Sequence, residues 1–379
     1  MRLASSLVAG VLAALFAAPA FAGQDYWKLD AEIDRLMAAG KIQGVGVAVI
    51  DNGKVAHVVA RGERNAKGEP LQVDTIMYAA SLSKAVFSYY VMMLVDEGKL
   101  DLDKPISAYL PLPLPEYKSY ADLADDPRWQ AITPRMLMTH SAGFPNFRWL
   151  NTDEKLDIKL TPGTRYAYSG EGINLMQFVI EQGLGLKVGE EMSRRLFQPL
   201  GMTRSSMIWR DDFAGNLADG QHEDGKWEPH DERSSVKAAG SLDTTIADMA
   251  KLAAAMASGW GLSPKAKAEW LKPSLRIVSA HEFPPFWSGE NPDNARVGLA
   301  AGIGVVTFQG AQGRAFMKGG HNEITDNILV CVEKARRCVV ILTNNEVGQR
   351  IFPPLVQAAI GETGIPWAWE YNRVLPVAR

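Results

Sequence analysis

Tyr78-Ala79-Ala80-Ser81-Leu82-Ser83-Lys84 stands where the chain changes period. The run from Thr75 to Ala80 reads as extended backbone, and Ser81 to Gly98 is a long apolar stretch with helical spacing. A serine that opens a helix has its hydroxyl and amide at the positive helix end, which suits a developing oxyanion. A lysine three residues on lies one turn away and can reach that hydroxyl. Helix capping alone would also place a serine here. The spacing recurs at Ser234-Ser235-Val236-Lys237, and a chain of 379 residues holds about one such match by chance. Context separates the two, because Ser234 follows the polar Asp231-Glu232-Arg233 rather than an extended run.

Upstream, Asp25 to Ala39 reads as a helix with Leu29, Ile33, Leu36 and Met37 on one face and Gly40 as its stop. Val45 to Ile50 and Val55 to Arg61 then form a hairpin about Asp51-Asn52-Gly53-Lys54. Downstream, helices over Ile173 to Gln182, Glu190 to Phe197 and Thr245 to Ser258 alternate with proline-containing loops. Strands return at Gly302 to Phe308, Asn327 to Val332 and Val339 to Thr343, and Pro354 to Ile360 reads as a closing helix. Strands at both ends around a helical middle predict an α/β (α+β) fold, an antiparallel sheet flanked by helices with an inserted, mostly helical domain. Residues 23–379 are expected to form one unit, the sheet part from about 23–80 and 290–379 and the helical part about 81–289.

The 40 Lys+Arg against 43 Asp+Glu give a net charge of −3, and 47% of residues are hydrophobic. That balance lacks the electrostatic footprint of a nucleic-acid binder and is too apolar for disorder. Arg2, the apolar Leu7 to Ala17 and the small-x-small Ala20-Phe21-Ala22 read as an export leader cleaved after residue 22. A periplasmic or secreted protein without a membrane span is expected. Cys331 and Cys338 flank a short turn between two β-type runs, so in an oxidising compartment they are expected to pair across a hairpin. The chain has no Gly-x-Ser-x-Gly, no phosphate-binding Gly-x-x-x-x-Gly-Lys-Ser/Thr, no Gly-x-Gly-x-x-Gly and no His-Glu-x-x-His. Its six histidines show no pairing that puts two ligands on one helix face, so neither a metal nor a cofactor is expected.

The Ser81 segment, followed by Glu97-Gly98-Lys99-Leu100-Asp101-Leu102-Asp103, resembles the active-site segment of the serine β-lactamase and penicillin-binding superfamily, class C branch. Leu137-Met138-Thr139-His140-Ser141-Ala142-Gly143, Pro162-Gly163-Thr164, Tyr168-Ser169-Gly170, Gln198-Pro199-Leu200-Gly201-Met202 and Ala239-Gly240-Ser241-Leu242 with Asp248 continue the likeness in order. Lys318-Gly319-Gly320 resembles the family's Lys-Thr-Gly or His-x-Gly element, and Lys187-Val188-Gly189 fits it too but lies between helices.

The resemblance implies Ser81 as nucleophile, Lys84 as base or as keeper of its neighbour's charge, and Tyr168 as proton shuttle. A phenol beside two ammonium groups is expected to lean towards phenolate. Lys318 would stand across the cleft and attract a substrate carboxylate, Gly319 and Gly320 would let an edge strand approach substrate, and the backbone amides of Ser81 and His321 would form the oxyanion hole. The His321 side chain is either a substrate contact or a bystander, and His140 supports a turn. Two positions depart from the family pattern. Gly170 stands where Asn is common, which should open the cleft unless Glu171 folds into the gap, and Gly319 replaces Thr. The expected function is an exported serine hydrolase that cleaves a peptide, amide or ester bond of a small-molecule or short-peptide substrate through a Ser81 acyl-enzyme. The alternatives are a class C β-lactamase and a non-catalytic penicillin- or peptidoglycan-binding receptor.

Overall fold

The structure is a computed structural model that describes residues 26–287, 289–371 and 374. The leader read at residues 1–22 lies outside the described residues. Among the described residues no helix is long and apolar enough to cross a membrane.

Eight strands form one sheet: β1 (Gly44–Asp51), β2 (Lys54–Gly62), β3 (Leu275–Arg276), β4 (Ala300–Ala301), β5 (Val306–Gly310), β6 (Gly313–His321), β7 (Asp326–Val332) and β8 (Arg337–Thr343). Their order is β2-β1-β8-β7-β6-β5-β4-β3, antiparallel throughout. The hairpin between β1 and β2 turns at Asn52 and Gly53, with φ 50° and 75°, the left-handed pair that the Asn-Gly dipeptide favours.

The central strands are buried on both faces, and their period of two sorts side chains into two cores. Val45, Val47 and Val49 of β1, Ile328 and Val330 of β7, and Val339 and Ile341 of β8 face helices α1 (Tyr26–Gly40) and α5 (Phe352–Ile360). Ala48, Leu329, Phe316 and Val340 face the other way, into the larger core built on α2 (Leu82–Asp96), α3 (Gly170–Gly183) and α4 (Ile246–Ser258). Both sides of the sheet are therefore covered, and α2 is sunk so deep that its residues from Leu82 to Leu94 are all buried.

Most expected elements appear within a residue or two of their places. The strand expected at Gly302 to Phe308 begins instead at Val306, because Gly304 turns with φ 68° and packs close to Ser88. The two-residue β3, with no periodic signal of its own, comes from within the middle stretch.

Cys331 and Cys338 are directly opposed across β7 and β8 and joined by a disulfide. Closing so short a loop, with seven residues of sequence separation, contributes about 2 kcal/mol through the unfolded chain. The Cys331→Ala/Cys338→Ala variant should therefore unfold at lower urea by that amount. Coincident urea curves for the two proteins would show the bond to be thermodynamically silent.

Candidate active site

The backbone ahead of Ser81 is held in a conformation that most residues avoid. Ala80 sits at φ 47°, in the left-handed region, which costs an L-residue with a Cβ roughly 1–2 kcal/mol. Four contacts hold it. The Ala79 amide donates to the Leu242 carbonyl at 3.0 Å, the Ser83 hydroxyl donates to the Ala80 carbonyl at 2.6 Å, Asn327 Nδ2 donates to the Tyr78 carbonyl at 3.0 Å, and the Tyr78 hydroxyl donates to the Gly240 carbonyl at 2.7 Å. This bend turns the chain from the short strand Met77–Tyr78, paired with Asp243–Thr244, into α2 with Ser81 at the corner.

Ser81 occupies the N-cap position, yet its side chain makes no capping bond. Its Oγ instead lies 2.8 Å from Lys84 Nζ and accepts a hydrogen bond of 2.8 Å from the Tyr168 hydroxyl. Lys84 Nζ also donates to the Ala239 carbonyl at 2.6 Å. The lysine is 1% exposed, and burial, with repulsion from Lys318 adding, pushes its amine well below the ordinary lysine value.

Tyr168 arrives from an extended stretch that ends in α3. Ser169 caps that helix, accepting from the Gly172 amide at 2.9 Å. The His140 turn, at φ 53°, holds the stretch from behind. Its carbonyl accepts from the Ala167 amide at 2.7 Å, its Nδ1 accepts from the Ser169 amide at 3.2 Å, and its ring packs 4.6 Å from the Tyr168 ring. Burial pushes Tyr168 up to about 12, and Lys318 opposes this without overcoming it. The expectation of a phenolate is thus corrected. Two ammonium neighbours would lower the phenol in water, but Tyr168 is buried and desolvation wins.

Lys318 is buried in β6, with its Nζ 5.0 Å from the centre of the Tyr168 ring and donating to the Gly319 carbonyl at 2.8 Å. Burial works against its charge, but Tyr168, Glu282 and Glu370 more than offset that and hold the amine above its ordinary value. Strand β5 pairs with Gly313–Met317, so among the described residues the Lys318–His321 end of β6 has no strand partner on that edge although the strand is internal to the sheet. Gly320 packs against the Ser81 turn so closely that an added Cβ would lie 2.6 Å from the Ala79 carbonyl oxygen and 3.0 Å from the Ser81 amide nitrogen. Only a glycine brings the next residue, His321, this near to Ser81. The His321 imidazole is pushed down to about 4 by burial, with Lys318 and Lys84 adding, and its Nδ1 has no hydrogen-bond partner among the described residues.

Gly319 faces the opposite side, where an added Cβ would lie 1.9 Å from Glu370 Oε1 and 2.1 Å from the Tyr371 hydroxyl. The C-terminal segment therefore occupies the space of the family's usual threonine. Gly319→Thr should destabilise the fold by about 1–3 kcal/mol through overpacking, measured as a lowered urea midpoint. An unchanged midpoint would show that Glu370 and Tyr371 yield at little cost.

Gly170 does not open the cleft as expected. An added Cβ there would lie 2.4 Å from Phe147 Cε1, so the Phe147 ring fills the volume. Glu171 turns elsewhere, accepting from Arg148 Nε at 3.0 Å and Nη2 at 2.9 Å. The second Ser-x-x-Lys is not assembled: Ser234 and Lys237 are both exposed in irregular chain. Lys187 is exposed and paired with Glu190.

Two carboxylates that no sequence motif marks stand behind Lys318. Glu282 is buried and accepts from the Tyr166 hydroxyl at 2.5 Å, and burial raises it despite Lys318. Glu370 is pushed up to about 8 by burial, with Glu282 adding. Among the described residues no group of histidine, cysteine or carboxylate side chains could hold a metal. A serine hydroxyl touched by a neutralisable amine and by a protonated phenol is equipped for proton transfer and attack on a carbonyl.

Beside Ser81 opens a cleft of about 910 Å³, walled by Tyr120, Phe147, Trp149, Gly240 and His321 among others.

A model of the family described as Beta-lactamase matches residues 29–358. A lovastatin esterase from Penicillium rubens is 29% identical over 224 residues, 50% of this chain and 56% of that protein. Esterase EstB from Burkholderia gladioli is 25% identical over 226 residues, 52% of this chain and 55% of that one. The chain thus spans about half the length of the curated relatives it matches. The D-alanine carboxypeptidase AmpC structure from Burkholderia cenocepacia superposes with a TM-score of 0.69 at 19% identity, covering 88% of this chain and 97% of that one, a likeness of fold. The chain belongs to the beta-lactamase family, and its fold is that of the D-alanine carboxypeptidase and class C β-lactamase structures on which it superposes.

Proposed function

We propose that this protein is a serine hydrolase, exported to the periplasm or secreted, that cleaves an ester or amide through an acyl-enzyme on Ser81. The observation that carries the reading is Ser81 Oγ lying 2.8 Å from both Lys84 Nζ and the Tyr168 oxygen, with its side chain released from helix capping. The neutral Lys84 amine takes the Ser81 proton as Oγ bonds to the substrate carbonyl carbon. The backbone amides of Ser81 and His321 stabilise the oxyanion. The bond to the leaving group then breaks, and the Tyr168 phenol, beside the protonated Lys318, supplies the departing group with a proton. Water next adds to the acyl carbon and gives its proton to the Tyr168 oxygen, and Lys84 returns its proton to Ser81 Oγ as the acyl bond breaks, which restores the phenol, the free amine and the serine hydroxyl. The products are an acid and an alcohol or amine.

An ester is favoured over a β-lactam by the departures at Gly170 and Gly319, whose side-chain spaces are filled by Phe147 and by Glu370 with Tyr371. The two relatives named as esterases point the same way. The joined cysteines agree with an oxidising compartment. The test is a panel of short-chain nitrophenyl esters, a chromogenic cephalosporin and D-amino-acid anilides. Esters are expected to give the highest kcat/KM. A cephalosporin hydrolysed faster than every ester and anilide would make the protein a β-lactamase.

A further inference from the structure

Beyond Ser81 the cleft has one wall built of aromatic rings. Phe147 and Trp149 stack face to face, with centroids 4.2 Å apart and planes at 8°. Phe147 occupies the side-chain space that Gly170 leaves, 2.4 Å from where its Cβ would be. Trp149, which lines the cleft, and the following Leu150 are 61% and 65% exposed, two large apolar side chains in water. Tyr120 and Phe178, edge to face at 4.9 Å, continue the wall inwards.

Three polar side chains that share the cleft with these rings, Arg148, Gln177 and Arg233, are already engaged. Arg148 is gripped by Glu171, donates to the Ser119 carbonyl at 2.7 Å and has its guanidinium carbon 5.8 Å from the centre of the Tyr120 ring. Gln177 uses its carbonyl on the Ala238 amide at 2.8 Å and its amide on Glu181 and the Val236 carbonyl at 3.1 Å. Arg233 is held by Asp243 at 3.1 Å and covers the Tyr78 ring. What this wall offers a ligand is ring surface.

The cleft also has a direction. Ser81 and the aromatic wall line it, while Tyr168 and Lys318, which serve the leaving group, are buried. The half of the substrate that extends into the cleft is then the half that stays on Ser81.

We propose that the Phe147–Trp149 stack is an acyl-group platform, and that the substrates are esters of uncharged, bulky apolar acids, aromatic or several carbons long. The proposal rests on the hydrolase reading and names its substrate class. A stack of two rings gains affinity with the apolar area laid on it, and each methylene or ring edge that loses its contact costs roughly tenfold in specificity.

The test varies the acyl group of 4-nitrophenyl esters (acetate, hexanoate, phenylacetate) with the leaving group fixed, and then the alcohol with the acetyl group fixed. Hexanoate and phenylacetate are expected to exceed acetate in kcat/KM by about tenfold or more. Trp149→Ala should reduce that ratio about tenfold, and because Trp149 is largely exposed the variant should fold. Phe147→Ala should reduce it at least as much. A flat acyl series, or a preference that follows the alcohol instead, would overturn the platform while leaving the hydrolase reading intact. Calorimetry on Ser81→Ala with methyl phenylacetate and methyl acetate separates the opposite failure. Tighter binding of the phenylacetate, lost in Ser81→Ala/Trp149→Ala, supports the platform even if no ester is turned over. Equal binding of the two esters, or none, refutes it.

Discussion

Ser81→Ala should remove ester hydrolysis by at least about 10⁴-fold in kcat and leave no site for covalent labelling by a fluorophosphonate. The size of the loss follows from the role: without the oxygen no acyl-enzyme forms, and what remains is the binding of substrate beside the oxyanion donors. The fold should not suffer. Ser81 makes no capping bond to α2, and Lys84 retains the Ala239 carbonyl, so stability is expected within about 0.5 kcal/mol of wild type. Mass spectrometry of the labelled wild-type protein should place the adduct on the peptide containing Ser81. An adduct on Ser234, which lines the same cleft from exposed irregular chain, would reassign the nucleophile.

What could be read in the sequence is what local geometry determines. Ser81 and Lys84 are one helical turn apart, so their meeting needs no knowledge of the rest of the chain, and the alternation of Val45, Val47 and Val49 sorts the faces of β1 without its neighbours. The opposition of Cys331 and Cys338 follows from a short turn between two strands. The illegible parts are those made by distant segments. Phe147 fills the space beside Gly170, and Glu370 with Tyr371 fills the space beside Gly319, so each glycine that reads as a loss of a side chain is a place another segment has taken. Glu282 sits in a stretch with no motif and enters the site only through the fold. The phenolate expectation failed for the same reason: neighbouring charges can be counted from a motif, but the burial that outweighs them at Tyr168 is a property of the packed molecule. Ala80 carries no trace of its left-handed backbone, since nothing in alanine announces φ 47°.

Lys84→Met should lower kcat/KM by roughly 10²–10⁴-fold, the range for loss of a positioned general base. Methionine is chosen because it fills the volume of a side chain buried in α2 without carrying an amine. Two further readouts separate loss of the base from loss of the fold. The first is the pH profile. In wild type the reactive form is the free amine, so kcat/KM should rise with pH through the lowered Lys84 value and hold until the Tyr168 phenol ionises near about 12. The rising limb belongs to Lys84 and should be missing in the variant. The second is stability. A lysine whose folded value is depressed binds fewer protons folded than unfolded, so between the folded and the ordinary value the unfolded state is favoured by acid and wild-type stability climbs with pH. Removing the amine removes that slope. Urea unfolding of the variant at about pH 7 and about pH 9 should therefore differ less than that of wild type, and at neutral pH the variant, which no longer keeps an amine out of water, should be no less stable. A folded Lys84→Met protein that kept both its rate and its rising limb would place the base on another group, and the buried carboxylate Glu282 would be the next to test.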